Sequence, residues 1–130
     1  MSEEFGSRRA GTRVCDGGGF YAVPAADAAA GAIFMPAYAT SPQFGVAETE
    51  TKAGSLGWFA TDGTFAFAAP ASHVSQAGQA IYYAPTSATT GTLSTTSSKG
   101  AVLLGREVVR PGIPEGLIYV VLERPAALQS

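Results

Sequence analysis

The chain has 130 residues, is 46% hydrophobic and carries a formal net charge of −2, which is consistent with one domain that has a core of its own. Charged residues make up only 14% of it, against roughly 25% in a typical soluble domain. The eight basic residues form no continuous stripe, which argues against nucleic-acid binding. The low charge indicates that a partner or further copies of the chain cover part of the surface. The alternative is a bland Gly-, Ala- and Thr-rich β-protein.

Cysteine usage and hydropathy exclude further classes. Cys15 is the single cysteine, so we expect no internal disulfide and no thiolate metal site. No apolar run approaches the roughly 20 residues of a membrane span, and the first residues lack the apolar core of a signal peptide. We therefore expect a protein made in the cytoplasm that uses no membrane, no metal and no cofactor.

The first 18 residues predict an extended N-terminal arm. Glycines loosen this segment, and Arg8, Arg9 and Arg13 make it locally basic. Such a composition cannot build a core alone, so the arm is held either by its own domain or by a partner. We expect a β-domain over residues 19–124 and a short C-terminal tail over residues 125–130.

Short apolar runs between Gly- and Pro-bearing turns predict eight or nine strands. In chain order these are residues 19–23, 32–35, 43–47, 56–61, 64–68, 79–83, 90–94, 101–109 and 117–123. The alanine run at residues 25–30 favours one helical turn. We expect an all-β fold, a small β-barrel or β-sandwich, because such folds manage exposed strand edges.

Two glycines predict local irregularities. Asp62-Gly63 lies between two β-type runs and predicts a type I′ hairpin. The alternative is one long strand that is bulged at Gly63. Gly105 lies within the run at residues 101–109, where an isolated glycine indicates a bulge.

Adjacent aromatic residues indicate strands that are buried on both faces. Neighbours in a strand point to opposite faces, so one member of each pair enters the core and the other points outward. The three pairs are Phe20-Tyr21, Trp58-Phe59 and Tyr82-Tyr83. Because aromatic residues often anchor interfaces, we predict that Trp58, Phe59 and Tyr82 serve self-association. The alternative is a two-layer fold that covers both faces internally.

No pattern in the sequence predicts a catalytic site. His73 is the single histidine and is expected to lie in a surface loop, although Ser72, Ser75 and Asp62 are nearby candidates for a triad. The glycines at residues 17–19 lead into a strand, whereas a phosphate-binding loop leads into a helix. The acidic residues are dispersed and lack calcium-loop spacing. We therefore predict that the protein is not an enzyme and has no catalytic residues.

The order of the motifs resembles one known family. The motifs are Tyr21-Ala22-Val23, Gly31-Ala32-Ile33-Phe34-Met35, Phe44-Gly45-Val46-Ala47, Ala53-Gly54, Trp58-Phe59-Ala60, Gly63-Thr64-Phe65, Gly78-Gln79-Ala80-Ile81-Tyr82-Tyr83, the segment 100–106, and Val120-Val121-Leu122-Glu123-Arg124. Over residues 19–124 this order is similar to that of the small cement or decoration proteins of tailed-bacteriophage capsids, a family often labelled recombinase-like. The chain departs from the pattern in a longer arm and in an insertion at residues 107–116.

The resemblance implies a structural virion protein. Such a protein binds the outer surface of the phage head and bridges subunits of the major capsid protein, as a homo-oligomer, either a dimer or a trimer. The arm is the expected capsid-binding element, through Phe5, Arg8, Arg9 and Arg13. One rival is a carbohydrate-binding or adhesin module that uses Trp58 or Tyr82 as a stacking platform. Another is a DNA-binding recombinase accessory, although a nucleotide-binding loop is missing from the sequence.

Overall fold

The computed structural model of this chain describes residues 18–38, 40–123 and 129. Within these residues the secondary structure consists of nine β-strands, and no helix there is long and apolar enough to cross a membrane. The strands are β1 (Gly19–Ala22), β2 (Ile33–Phe34), β3 (Gly45–Ala47), β4 (Gly57–Ala60), β5 (Thr64–Ala68), β6 (Ala80–Pro85), β7 (Gly91–Ser94), β8 (Val102–Val108) and β9 (Leu117–Leu122). The all-β prediction is confirmed.

The strands form two antiparallel sheets. The four-stranded sheet has the order β1-β4-β3-β2, and the five-stranded sheet has the order β5-β9-β8-β6-β7. One of the sheets curls into a half-barrel, which gives the molecule both barrel and sandwich character. The chain passes from the first sheet to the second between β4 and β5, at residues 61–63.

The predicted hairpin at Asp62-Gly63 is wrong, and so is the alternative of one bulged strand. Strand β4 pairs with β1 and β3, whereas β5 pairs with β9 in the other sheet. Gly63 does adopt a positive φ of 109°, but its carbonyl accepts a hydrogen bond from the Leu122 N–H at 2.9 Å. Both carboxylate oxygens of Asp62 accept from the Gly18 N–H, at 2.9 and 3.0 Å. Hydrogen bonds to residues that are distant in the chain therefore take the place of the predicted hairpin turn.

The alanine run does not form the expected helical turn. Ala28 instead makes an isolated antiparallel bridge with Thr51. Each residue donates its N–H to the carbonyl of the other at 2.8 Å. Ala28 is fully buried in a cluster with Phe34, Ala47 and Phe59 of the four-stranded sheet.

The expected bulge near Gly105 is present in β8. Ile81 of β6 lies opposite Gly105 and Tyr82 lies opposite Leu103, so Leu104 is the extra residue. A Cβ on Gly105 would collide with the carbonyl oxygen of Val121 on the neighbouring strand. Glycine at this position therefore lets the backbones of β8 and β9 approach closely.

The main core lies between the two sheets. Residues of the four-stranded sheet and its flanks face eight residues of the five-stranded sheet. The buried members are Ile33, Met35, Phe44, Val46, Phe67, Ile81, Tyr83, Val102, Leu104, Ile118, Val120 and Leu122. This core fixes the inward face of every strand from β5 to β9 except β7, whose Leu93 is only partly buried.

A second, smaller core covers the other face of the four-stranded sheet. Phe34 and Phe59 stack there with ring centroids 4.4 Å apart, and Phe20 lies 5.8 Å from Phe59. Ala28 and Ala47 complete the buried cluster. Phe34 thus points away from its neighbours in the main core, as the alternation of residues 33–35 predicts.

Candidate functional site

A buried carboxylate ties the loop at residues 70–78 to β8. Glu107 points inward, opposite Val120 of β9, and its side chain is 2% exposed. It accepts hydrogen bonds from Gln79 Nε2 at 2.7 Å, His73 Nε2 at 3.0 Å and the Gln76 N–H at 3.4 Å. Burial raises the pKa of this carboxyl, but the bonds from Gln79, Ser75, His73 and Gln76 together bring the pKa below its ordinary value. The charged form of Glu107 is therefore the one that the site stabilises.

His73 lies in the loop at residues 70–78, as predicted, but its side chain does not face solvent. The side chain is 4% exposed, and its ring contacts Glu107. Ser75 bonds the same carboxylate, while Asp62 bonds Gly18 elsewhere in the molecule. His73 therefore helps to hold the loop at residues 70–78 against β8. Across the residues that the structure describes, no group of His, Cys, Asp and Glu side chains is arranged to hold a metal ion.

Four apolar side chains form an exposed patch on the β1–β4 ladder. Tyr21 lies opposite Trp58 in the register, and alternation puts Val23 and Leu56 on the same side of the ladder. Tyr21 and Leu56 are each 68% exposed, and Val23 is 55% exposed. Tyr21, Val23, Leu56 and Trp58 are named the β1–β4 patch below. Exposed apolar side chains in a contiguous group mark an interaction surface.

The ring of Trp58 is fixed in place within this patch. Its Nε1–H donates to Glu48 Oε2 at 2.9 Å, and its ring meets that of Tyr21 edge-on, with centroids 4.9 Å apart. A Cβ on Gly19 would collide with the indole, so the ring lies directly against the bare backbone of β1. The patch thus presents a preordered aromatic surface, which lowers the entropy lost on binding.

A second surface of low charge covers the outward side of the five-stranded sheet. Registered pairing places fourteen outward residues there, namely Thr64, Ala66, Ala68, Ala80, Tyr82, Ala84, Thr92, Ser94, Leu103, Arg106, Val108, Leu117, Tyr119 and Val121. Arg106 is the single charged residue among these outward positions. The set is named the outer face below. A solvated sheet face usually alternates apolar-in with polar-out, so this composition also indicates contact with other molecules.

Two further arginine contacts lie on or beside the outer face. Arg106 Nε is 3.4 Å from Glu123 Oε2 in an exposed ion pair. The guanidinium carbon of Arg110 lies 5.1 Å from the centroid of the Tyr119 ring. This cation–π contact holds a positive charge against an otherwise apolar surface.

The structure separates the predicted self-association residues. Trp58 lies in the β1–β4 patch and Tyr82 lies on the outer face, both half-buried. Phe59 is 0% exposed in the second core, so it has no surface with which to contact another copy. The predicted capsid-binding residues Phe5, Arg8, Arg9 and Arg13 lie outside the described residues, as does Cys15.

Sequence reasoning missed part of both surfaces. Val23 and Leu56 flank Tyr21 and Trp58 at a spacing of two, which is the signal that would have placed them in one patch. Glu107 gave no signal, because its partners Gln79 and His73 lie 28 and 34 residues away in the chain.

Comparison with protein families shows which family the chain belongs to. The family described as phage cement protein matches residues 14–110, which is well over half of the chain. No curated protein matches the sequence.

Proposed function

Because this chain belongs to the phage cement protein family, a family of structural capsid proteins, we propose that it binds the outer surface of a phage head and stabilises contacts between major capsid protein subunits. The supporting observation is the pair of weakly charged, apolar surfaces on a domain with a complete core of its own. A protein that binds the assembled shell better than its separate subunits stabilises the shell by mass action. Each contact then needs only ordinary size, roughly 800 Å² per partner.

The proposed division of labour assigns the capsid contact to the arm. Residues 1–18 form the arm, residues 19–124 the β-domain and residues 125–130 the tail. The arm adds a strand to an exposed sheet edge of the capsid protein, because main-chain pairing gives affinity without a pocket. Phe5 and the three arginines, Arg8, Arg9 and Arg13, supply the side-chain contacts. Trp58 and Tyr82 serve self-association as a dimer or trimer.

Heads with and without the protein test this function. We expect heads that lack it to release DNA at a lower temperature, and added purified protein to restore the release temperature in a saturable way. DNA-dye fluorescence during heating measures the release. Added Val74→Ser protein should restore the release temperature as well as the wild type does, since Val74 is 75% exposed and lies outside both surfaces. An unchanged release temperature in heads without the protein would contradict the cement role.

One observation favours a second function, an adhesin or carbohydrate-binding module. Trp58 is an ordered aromatic ring with the Glu48 carboxylate at its edge, and a sugar could stack on such a ring. Glycan-array binding by the isolated protein, lost in Trp58→Ala, would favour this alternative. Co-sedimentation with purified heads would favour the cement role.

A further inference from the structure

The two surfaces of this molecule lie in different sheets and have different chemistry. An interface built from one surface that contacts itself gives a two-fold dimer, whereas two different surfaces pair head to tail. We propose that the β1–β4 patch of one copy packs on the outer face of a second copy, so that copies associate head to tail. This inference deepens the self-association part of the proposed function and rests on that part alone.

The charges at the two surfaces are complementary. Glu48 bonds Trp58 within the β1–β4 patch, and Glu50 and Asp27 lie nearby with Lys52 as their partner. The patch therefore has an acidic margin. The outer face instead has two arginines, Arg106 and Arg110, against the single carboxylate of Glu123 that pairs with Arg106. Opposite charge at the two surfaces favours the pairing of unlike surfaces and disfavours the pairing of like ones.

The shape of the outer face also suits contact with aromatic side chains of another copy. Ala66 lies opposite Tyr119 in the register, and Ala68 lies opposite Leu117. Small side chains beside large ones leave shallow depressions on the sheet. The exposed rings and aliphatic side chains of the β1–β4 patch fit such depressions better than a second flat sheet face does.

The outer face is broad enough to receive the β1–β4 patch. Five strands spaced about 4.8 Å apart, with about five residues each at roughly 3.3 Å, span a projected area on the order of 400 Å². The accessible area of the face is larger than this projection, because its side chains stand out from the sheet.

Two variants that each introduce a charge at an apolar position test the pairing in the isolated protein. Leu56→Lys places a cation in the β1–β4 patch opposite the arginines, and Val121→Glu places an anion on the outer face opposite Glu48. Both positions are exposed, at 68% and 38%, so the fold should be retained. We expect native mass spectrometry to show an oligomer for the wild type and a monomer for each variant. Val74→Lys, outside both surfaces, should keep the mass of the wild type.

Mixing the two variants separates head-to-tail pairing from self-pairing. Leu56→Lys retains an intact outer face and Val121→Glu retains an intact β1–β4 patch, so the mixture should associate although neither variant does so alone. NMR shifts of isotope-labelled Leu56→Lys should then move at the outer face when unlabelled Val121→Glu is added, whereas pairing of like surfaces predicts no movement there. Tyr21→Lys with Tyr82→Glu repeats the test at other positions, should either first variant fail to fold.

Several outcomes would overturn the inference. They are a monomeric wild type at every concentration, an oligomer that survives in either variant, or a mixture whose shifts do not move. Head binding is measured separately by co-sedimentation. A monomer that still binds heads contradicts the head-to-tail pairing and leaves the cement role standing, whereas an oligomer that does not bind heads does the reverse.

Discussion

A single inward-facing carboxylate organises one end of the five-stranded sheet. Glu107 lies on the core side of β8, where an apolar residue would continue the alternation, and hydrogen bonds from several groups stabilise its charge. Buried charge is tolerated only when it is satisfied in this way. The exposed Val74 lies in the loop that these bonds fix, and its carbonyl accepts from Gln79 Nε2 at 2.9 Å. Glu107 therefore helps to fix the conformation of the loop at residues 70–78, although its own side chain is buried.

Replacing Glu107 by Gln should destabilise the fold at neutral pH by about 1–3 kcal/mol, because an amide places donors against the donors of Gln79 and His73. The folded-state pKa of Glu107 is lowered, so its contribution is present above the ordinary value of 4.5 and is lost as the pH falls through the folded value. The gap between wild type and variant should thus shrink in acid. Urea unfolding at a series of pH values measures it.

The exposed Glu115 provides the control for this experiment. Glu115→Gln should leave the free energy of unfolding nearly unchanged, as surface substitutions usually do. A gap for Glu107→Gln that stays constant from neutral to acid pH would mean that the carboxylate charge contributes nothing to stability.

At the scale of elements, the bulge in β8 is the feature that most constrains packing. Leu104 and Gly105 both lie on the core side there, while Leu103 and Arg106 keep the outward register on either side. Because of the extra residue, two consecutive residues of β8 face the core, and the alternation then resumes with Arg106 on the outer face. Bulges also increase the local twist of the strand that contains them.

Gly105→Ala should therefore be costly. The new Cβ would meet the backbone carbonyl of Val121, which cannot rotate away, so the strands must separate. Overpacking of this kind typically costs 1–3 kcal/mol. Chemical denaturation should show that loss, while Thr64→Ala on the exposed side of β5 should change stability by less than about 0.5 kcal/mol. Equal stabilities for Gly105→Ala and the wild type would mean that β8 and β9 tolerate a wider spacing.

The strands and the alternation of their faces could be predicted from the sequence because those signals are local. Alternation at residues 33–35 and in the aromatic pairs depends only on neighbours in the chain. The Asp62-Gly63 turn could not be predicted in the same way. Its local signal is correct in backbone conformation, since Gly63 has a positive φ, but β5 gains more by pairing with the distant β9 than with β4. The position of His73 likewise depends on a residue 34 positions away.

At the scale of the whole molecule, charge is separated from contact area. The β1–β4 patch and the outer face are largely apolar, whereas three of the eight basic residues are Arg8, Arg9 and Arg13 in the proposed arm. If the arm binds the capsid and the domain surfaces bind other copies, the two kinds of contact should respond differently to salt. Screening shortens the range of exposed charges from about 10 Å at 0.1 M to about 3 Å at 1 M and leaves apolar contacts intact.

The triple variant Arg8→Ala, Arg9→Ala, Arg13→Ala should therefore bind heads more weakly at low salt and lose most of the salt dependence. Co-sedimentation with heads across a salt series measures both effects. The triple variant should keep the oligomer mass of the wild type, which serves as the internal control. Identical salt dependence in variant and wild type would remove the arginines from the capsid contact.

The Asp62 carboxylate that holds the Gly18 amide has a mechanical consequence. It anchors the chain just before β1 to the segment that crosses from one sheet to the other, next to Gly63, whose carbonyl is bonded to Leu122. A pull applied ahead of Gly18 would therefore be carried to both sheets. Where that pull is directed along β1, the hydrogen bonds that join β1 to β4 are loaded together in shear and do not break one after another. A domain loaded in this way should unfold only at high force.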